Sequence, residues 1–209
     1  MDILYQDKEI VVCVKPVGVS SEDGDHSLPA QLRQELGGDI FPIPRRDLNV
    51  GGVMVYARTK NAAGRLAKAI QDGIMVKEYR CLVHGTPPES GDWQDLLWKD
   101  SSKNKVFVVK RMRKGVKNAR LEFHRLTAGE TSLVHVRLHT GRSHQIRVQF
   151  ASRKHPILGD RKYGSEVNCR IALFSRLLGF KLGEKSVEFT AIPECAFPWD
   201  IFSEILGQI

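Results

Sequence analysis

Residues 44–57 read Pro44-Arg45-Arg46-Asp47-Leu48-Asn49-Val50-Gly51-Gly52-Val53-Met54-Val55-Tyr56-Ala57. The last five residues form an uninterrupted apolar run, which predicts a short strand in the interior of the fold. Gly51 and Gly52 allow the backbone to turn tightly or to pass close to another segment. The first third of the chain is predicted to assemble around this strand.

Asp47 lies just ahead of the predicted strand and follows Arg45 and Arg46. Neighbouring cations favour the ionised form of a carboxyl group, and a buried strand would hold that group rigidly. These properties suit a catalytic carboxylate. They suit an ordinary turn as well, because aspartate ahead of Gly-Gly is common in turns. From this stretch alone, the turn is the favoured interpretation.

Helix and strand signals continue on both sides of this stretch. An apolar strand is predicted at residues 10–14, and Pro16 ends it. Ser27 and Thr59 are each predicted to cap a helix, and the two helices end at Gly37-Gly38 and at Gly73. The apolar faces of these helices consist of Leu28, Leu32 and Leu36 in the first, and of Ala63, Leu66 and Ile70 in the second.

Strands dominate the rest of the sequence. Apolar or alternating runs predict strands at residues 79–83, 106–109, 119–123, 133–138, 171–174, 180–182 and 187–189. Ser143 is predicted to cap a third helix that runs to residue 150. The fold class is therefore α+β, with a mixed, mainly antiparallel sheet and flanking helices, and residues 1–209 are expected to form a single domain.

The composition is that of a basic globular protein. Of its 209 residues, 42% are hydrophobic and 27% are charged, and the net charge is +8. This charge favours a polyanionic partner, most simply nucleic acid. The cysteines have no metal-ligand spacing, and no leader or membrane span is evident. We expect a cytoplasmic protein with reduced thiols, no metal and no membrane contact. The cysteines are Cys13, Cys81, Cys169 and Cys195.

Residues 101–121 form a basic segment without a single acidic residue. A charge run is usually a solvated face, but like charges that lack compensation repel one another, so an anionic ligand is favoured here. The run at residues 106–109 predicts a strand within the segment, and the basic part is therefore predicted to be a hairpin or loop. Its cations are Lys103, Lys105, Lys110, Arg111, Arg113, Lys114, Lys117 and Arg120.

Common catalytic motifs are absent from the sequence. It contains no Gly-x-Ser-x-Gly, no phosphate-binding loop with Gly-Lys-Ser/Thr and no paired-carboxylate spacing. His135 and His139 lie on one predicted strand, which keeps them well apart, so a structural or RNA-facing role is favoured over a metal site. Neither a nucleoside triphosphatase nor a zinc enzyme is indicated.

Arg147 ends the stretch Thr140-Gly141-Arg142-Ser143-His144-Gln145-Ile146-Arg147. It shares its predicted helix with Ile146, Val148 and Phe150, which must pack inward. An unpaired guanidinium is costly to bury, so Arg147 is expected to need a carboxylate partner. Any acid would serve structurally, and Asp47 is the functional candidate.

Several stretches along nearly the whole chain form an ordered set. They are Ile3-Leu4-Tyr5-Gln6-Asp7, Lys15-Pro16-Val17-Gly18, Arg45-x-Asp47 followed by Gly52, Lys77-Glu78-Tyr79, residues 140–147, and His155-Pro156-Ile157-Leu158-Gly159-Asp160-Arg161-Lys162-Tyr163-Gly164. This set resembles the RluA-type RNA pseudouridine synthases, whose motifs include HRLDxxTxG, Lys-x-Tyr and TGRxHQIR.

The sequence departs from the pattern of that family mainly around Asp47. Pro44 stands where the family usually has His, Arg46 where it has Leu, and Val50 where it has Thr; residues 173–175 replace Leu-His-Ala. Asp47 and Arg45 are kept. These departures motivate an alternative hypothesis, a catalytically weakened RNA-binding or chaperone protein that retains the fold.

The resemblance implies a pseudouridine synthase fold with a central RNA-binding cleft, and isomerisation of a uridine in rRNA or tRNA to pseudouridine. No cofactor and no metal are implied. Asp47 would be the catalytic aspartate, acting either on the anomeric carbon of the ribose or through removal of the neighbouring ribose proton. Tyr79 would stack on the base, Arg147 would pair with Asp47, and Arg45 would fill the space left by the flipped-out uridine.

Resemblance and charge together predict an RNA-binding surface. Some family members carry a small helical domain ahead of the catalytic one, but here the motifs begin at once, so no separate N-terminal domain is expected. The basic segment is expected to bind phosphates, and the protein is expected to be a monomer. The predicted RNA-binding residues are Arg45, Arg142, His144, Gln145, Lys103, Lys105, Lys110, Arg111, Arg113 and Lys114.

Overall fold

The computed structural model describes residues 1–43 and 48–206. Its strands are β1 (Asp2–Gln6), β2 (Ile10–Lys15), β3 (Phe41–Pro42), β4 (Gly51–Ala57), β5 (Val76–His84), β6 (Ser90–Asp100), β7 (Lys105–Val109), β8 (Val116–Arg125), β9 (Thr131–Leu138), β10 (Leu173–Leu182) and β11 (Lys185–Thr190). Its helices are α1 (Leu28–Leu36), α2 (Lys60–Gln71), α3 (Gln145–Ala151) and α4 (Ser203–Leu206), and Arg161–Tyr163 and Trp199–Phe202 form single 3-10 turns.

The chain forms two compact units. The first comprises Met1–Lys77 and Phe174–Pro193, and the second comprises Glu78–Leu173 and Glu194–Ile209. Strands of the first unit follow the order β1-β2-β4-β10, with β3 also on β4 and β11 also on β10. Only the β4–β10 pair of that unit is parallel among the residues described. The second unit has the antiparallel order β5-β9-β8-β6-β7. The predicted α+β class with a mixed, mainly antiparallel sheet is confirmed.

The first unit is built around β4, as the sequence predicts. All seven residues of β4 are buried. Val53 and Val55 pack with Leu66 of α2, while Met54 and Tyr56 pack on the other side with α1. Both predicted helix caps are confirmed, because the Ser27 and Thr59 side chains accept hydrogen bonds from the amides of Ala30 and Ala62. Packing on both faces therefore explains the uninterrupted apolar run.

In the second unit, α3 packs on one face of the β6–β8 strands. Val148 of α3 joins Leu97, Val106 and Ala119 in one cluster. Phe150 contacts the ring of Trp93, with ring centroids 4.8 Å apart. We call this the α3 face of the second unit.

Three sequence predictions need correction. Ser143 is not the cap of α3, because the helix begins at Gln145 and the residue before it, His144, has a φ of 49° and makes no capping side-chain bond. The strands predicted at residues 171–174 and 180–182 fall on one strand, β10, which begins only at Leu173. Of the two alternatives for the basic segment, the single hairpin is wrong, since its two strands lie on opposite sides of β6, and a loop at residues 110–115 connects them.

Candidate nucleic-acid interface and candidate active-site residues

Arg147 is held by a buried carboxylate. Its Nε lies 2.7 Å from Asp160 Oδ2, and an Nη nitrogen lies 2.8 Å from Asp160 Oδ1. The side chains are 4% and 0% exposed. A two-point pair of this kind fixes the plane of the guanidinium as well as its position. The predicted need of Arg147 for an acid is therefore met, among the described residues, by Asp160, for which the sequence analysis proposes no role.

Tyr163 links this pair to the basic segment. The Arg147 guanidinium carbon lies 5.1 Å from the Tyr163 ring centroid, and Lys105 Nζ lies 5.4 Å from it. The Tyr163 hydroxyl accepts a hydrogen bond from the Val106 amide at 2.8 Å and lies 2.9 Å from His144 Nδ1. One aromatic residue thus connects α3, the loop ahead of α3 and strand β7. Predicted site residues that are distant in sequence are held together here.

Gln145 organises the loop between β9 and α3. Its side-chain oxygen accepts hydrogen bonds from the Thr140 hydroxyl at 2.8 Å and the Arg142 amide at 3.0 Å. Its side-chain nitrogen donates to the Arg120 carbonyl at 3.1 Å. Gln145 is 3% exposed, so these contacts make it a support for the loop. Its predicted contact with RNA stays a prediction.

Arg142 extends from that loop onto β8. It is exposed, and its Nε donates to the Asn118 carbonyl at 2.8 Å. One hydrogen bond from a planar group that carries five N–H donors leaves the guanidinium suited to bind a phosphate as well.

The basic segment has two separate parts. Lys103 lies in the turn between β6 and β7, while residues 110–115 connect β7 to β8. Strand β6 lies between β7 and β8, with Val109 opposite Leu96 and Val116 opposite Trp98. Residues 110–115 must therefore cross over β6, and we call them the crossover.

The crossover passes over the face of β6 that lies opposite the α3 face. The Arg113 guanidinium carbon lies 5.1 Å from the centroid of the Trp98 ring. A Cβ added at Gly115 would lie 3.8 Å from the same indole. The four cations of the crossover are exposed, so they present positive charge to solvent on this face: Lys110, Arg111, Arg113 and Lys114.

One cation of the segment is neutralised by acids from neighbouring strand positions. Arg120 contacts Asp92 and Glu122, each at 2.9 Å. The hydrogen bond from Arg120 holds the pKa of Asp92 below its ordinary value. The bond with Asp92 in turn raises the pKa of Arg120. The idea that all eight cations lack compensation is therefore wrong for Arg120, which the sequence could not pair with an acid outside the segment.

In the first unit, Lys15 fixes the residue that follows Asp47. Lys15 is 1% exposed, and its Nζ donates to the Val19 carbonyl at 2.7 Å and the Leu48 carbonyl at 3.1 Å. The Gly18 amide also donates to the Leu48 carbonyl, at 3.0 Å. A buried ammonium is stable only with such partners. The Lys15-Pro16-Val17-Gly18 stretch thus anchors the chain beside the predicted catalytic aspartate.

Tyr79 lies on the same face of the second unit as α3. It is opposite Val136 on β9, which is opposite Phe123 on β8, and Phe123 packs on Phe150 of α3. Side chains at directly opposed positions share a face. The structure therefore places Tyr79 and Arg147 on one side of the second unit. Asp47 and Arg45 lie outside the described residues.

His135 and His139 each have an acidic neighbour. His135 Nε2 lies 3.5 Å from Glu78, and His139 Nε2 lies 3.0 Å from Glu122. Within residues 1–43 and 48–206, no three His, Cys, Asp or Glu side chains are grouped as a metal ion would require. The cysteines are free thiols. None of the helices in those ranges is long and apolar enough to cross a membrane.

Comparison with known proteins agrees with the motifs. A sequence profile described as RNA pseudouridylate synthase matches residues 9–152. A ribosomal large subunit pseudouridine synthase D of Vibrio parahaemolyticus is 33% identical over 177 residues, which are 78% of this chain and 53% of that protein. A tRNA pseudouridine synthase C of Haemophilus ducreyi is 31% identical over 206 residues, which are 86% of this chain and 85% of that protein.

Solved structures share the fold. The human protein RNA Pseudouridylate Synthase Domain Containing 4 superposes with a TM-score of 0.79 at 23% identity, covering 92% of this chain and 89% of that one. The chain spans about half the length of several curated relatives that it matches. Since the family profile covers more than half of its residues, the chain belongs to the RNA pseudouridylate synthase family.

Proposed function

We propose that this chain isomerises a uridine in rRNA or tRNA to pseudouridine. The observation that carries the proposal is the family match over residues 9–152, which includes Asp47, Tyr79 and Arg147. Relatives are named for ribosomal large subunit and tRNA pseudouridine synthases. The exposed cations of the basic segment support RNA as the substrate.

The proposed reaction needs no redox change. The N1–C1′ bond of the uridine breaks, the uracil rotates, and a C5–C1′ bond forms. The proton that C5 loses is matched by the proton that N1 gains. Asp47 is the proposed catalytic carboxylate, acting either as a nucleophile at C1′ or as the base that removes the neighbouring ribose proton.

Arg147 and Tyr79 are the proposed partners of Asp47. The Asp160 pair involves two nitrogens of a guanidinium that carries five N–H donors, and we propose Asp47 as a second carboxylate. Tyr79 would stack on the uracil, a contact worth about 1–3 kcal/mol per base. Arg45 would occupy the space that the flipped nucleotide leaves, which offsets part of the few kcal/mol that flipping costs.

We propose that residues 1–209 act as one catalytic domain, as a monomer in the cytoplasm, and that the cations of the basic segment bind phosphates. Gln145 would then contribute to RNA binding in two ways, through a direct contact with RNA and through its support of the loop that carries Arg142 and His144.

Asp47→Asn tests the activity. Pseudouridine is mapped on total RNA incubated with the wild type, with Asp47→Asn and with the control Asp39→Asn, which removes an exposed carboxylate. We expect product from the wild type and the control, and at least a 1,000-fold loss, on the order of 4 kcal/mol, in the Asp47 variant. Unchanged turnover in Asp47→Asn would exclude Asp47 as the catalytic group.

The alternative is an RNA-binding protein with weakened catalysis. It is favoured by the sequence around Asp47, where Pro44, Arg46 and Val50 replace the usual family residues. The same assay separates the two functions. If none of the three proteins formed pseudouridine and all three still bound RNA, the result would support an RNA-binding protein with weakened catalysis.

A further inference from the structure

The β6–β8 strands have an outer face, opposite the α3 face, with a regular order of side chains. Register places Gln94 opposite Arg120, Leu96 opposite Asn118, and Trp98 opposite Val116. Val109 and Phe107 continue the second and third rows on β7. This face is therefore polar at one end and aromatic at the other, and the basic crossover lies over its aromatic end.

A cavity of about 200 Å³ opens on the polar end of this face. It is lined by Gln94, Leu96, Asn118, Arg120 and Thr140. Pockets that bury drug-sized ligands occupy about 300–1,000 Å³, so this space suits a single planar ring system rather than a larger molecule. The cavity lies wholly within the second unit.

The side chains that line the cavity include both hydrogen-bond donors and hydrogen-bond acceptors. Gln94 and Asn118 are exposed, and each carboxamide supplies two donors and one acceptor group. The carboxylate of Asp95, whose residue also borders the cavity, is directed elsewhere, because it accepts hydrogen bonds from Gln149 and Arg153. Carboxamides are suited to pair with the edge of a nucleobase.

Cations from two segments, Arg142 and the crossover, lie near the cavity. Arg142 is hydrogen-bonded to the carbonyl of Asn118, a residue that lines the cavity. The crossover passes over the neighbouring row, where Arg113 stacks on Trp98. Asp92 and Glu122, which are opposed on the same face of β6 and β8, are both paired with Arg120. The charge pattern thus fits an anionic ligand with an uncharged, planar, polar group.

We propose that the outer face of β6–β8 is a binding site for one unpaired RNA nucleotide outside the reaction centre. Its base enters the cavity and bonds Gln94 and Asn118, and its flanking phosphates contact Arg142 and the crossover. The choice of RNA rests on the proposed function. An unpaired nucleotide fits because the edges of bases within an RNA duplex are largely inaccessible to side chains, whereas those of single strands are open.

The test is equilibrium binding of a fluorescein-labelled, uridine-free single-stranded RNA, compared with a blunt duplex of the same sequence. The variant is Gln94→Ala combined with Asn118→Ala. The control is Gln34→Ala combined with Asn61→Ala, which removes two exposed carboxamides from the first unit. Thermal melting verifies that all proteins are folded.

We expect the dissociation constant for the single strand to rise about tenfold in the Gln94/Asn118 variant, with duplex binding and the control unchanged. An unchanged single-strand affinity, or an equal loss for the duplex, would overturn the site. Because the single-stranded probe lacks uridine, its binding is independent of catalysis. If the wild type formed no pseudouridine while the single-strand loss was observed, the proposed function would fail and this site would stand.

Discussion

Arg147 is a buried charged side chain whose partner affects both the stability of the protein and the geometry of the proposed active site. It lies on an otherwise apolar helix face and is 4% exposed. Removing one partner of a buried ion pair leaves a charge without compensation, which costs about 3–5 kcal/mol. Asp160 therefore determines both the stability of this region and the direction of the guanidinium, which we propose also serves Asp47.

We predict that Asp160→Asn lowers the free energy of unfolding by about 3–5 kcal/mol, because the Arg147 charge loses its buried partner. Urea denaturation measures the change. Asp72→Asn is the control, since Asp72 pairs with Lys68 in an exposed pair at 2.9 Å and should change stability by less than about 1 kcal/mol. Similar small effects in both variants would contradict the role assigned to Asp160.

The sequence predicts the need of Arg147 for an acid but not which acid meets it. Asp160 lies in a stretch whose motif resemblance is clear, yet nothing local shows that its carboxylate is buried. A buried guanidinium needs a carboxylate partner, and every acid within a motif, Asp160 as well as Asp47, is a candidate for that partner. Lys15 and Tyr163 were missed for the same reason, since their partners come from distant residues.

At the level of elements, the close approach of β4 and β10 depends on Gly52. Its φ is 114°, a conformation that side chains rarely adopt. A Cβ at this position would overlap the backbone of Ser175, with the Ser175 nitrogen only 2.6 Å away. The parallel register pairs Gly52 with Ser175. Glycine is therefore required by both conformation and space.

We predict that Gly52→Ala destabilises the protein by about 3 kcal/mol or more, because neither backbone can move without loss of strand pairing. Gly64→Ala is the matched control: Gly64 lies within α2, and a Cβ there would meet nothing within 4 Å. That control should gain about 0.5–1 kcal/mol. Melting curves of the two variants should shift in opposite directions, and a shift in the same direction would count against this account.

The turn between β1 and β2 gives a pH-dependent prediction. Burial alone would raise the pKa of Asp7, but the amides of Ile10 and Glu9 donate to its carboxylate and hold the pKa below its ordinary value. A lowered folded-state pKa means that the carboxylate stabilises the fold above the unfolded pKa, about 3.9, and that this contribution is lost as pH falls through the folded value.

We therefore expect Asp7→Asn to be less stable than the wild type at pH 7, with the difference shrinking as the pH falls below about 4. Denaturation at a series of pH values measures this. Asp39→Asn, at an exposed position, serves as the control. If the difference in the free energy of unfolding between the wild type and Asp7→Asn stayed constant below about pH 4, the hydrogen bonds of Asp7 would act independently of its charge.

Elements with local signals were predicted well, and those that depend on distant partners were not. Helices α1 and α2 have a capping hydroxyl, helical spacing of apolar residues and a closing glycine, all within a few residues. Strand β6 was missed because Asp92, Asp95 and Asp100 are poor strand formers. It is stabilised instead by pairing on both edges and by Asp95 binding Arg153 from the region of α3.

For the whole molecule, the net charge of +8 is less informative than its distribution. Arg120 is neutralised by acids, whereas the cations of the crossover are exposed on one face of the second unit. In the sequence, Arg120 and the crossover cations belong to one basic segment. In the structure, Arg120 contacts two acids, whereas the crossover cations are exposed to solvent.

We predict that replacing Lys110, Arg111, Arg113 and Lys114 with glutamine flattens the salt dependence of RNA binding. For a single strand, the slope of log K against log salt should fall by about 0.7 for each phosphate contact removed. The control replaces Lys8, Lys60, Lys181 and Lys185, which are exposed in the first unit. It has the same net charge, so equal slopes in the two variants would show that only total charge matters.

The separation of β4 from β10 in sequence has a consequence for synthesis. Strand β4 gains its parallel neighbour only after all of Glu78–Leu173 has been translated. A chain emerges from the ribosome N-terminus first, and domains generally fold as their residues become available. The unit that begins first therefore stays incomplete while Glu78–Leu173 of the other unit is translated, and the nascent protein must keep one apolar strand edge from mispairing until Phe174 arrives.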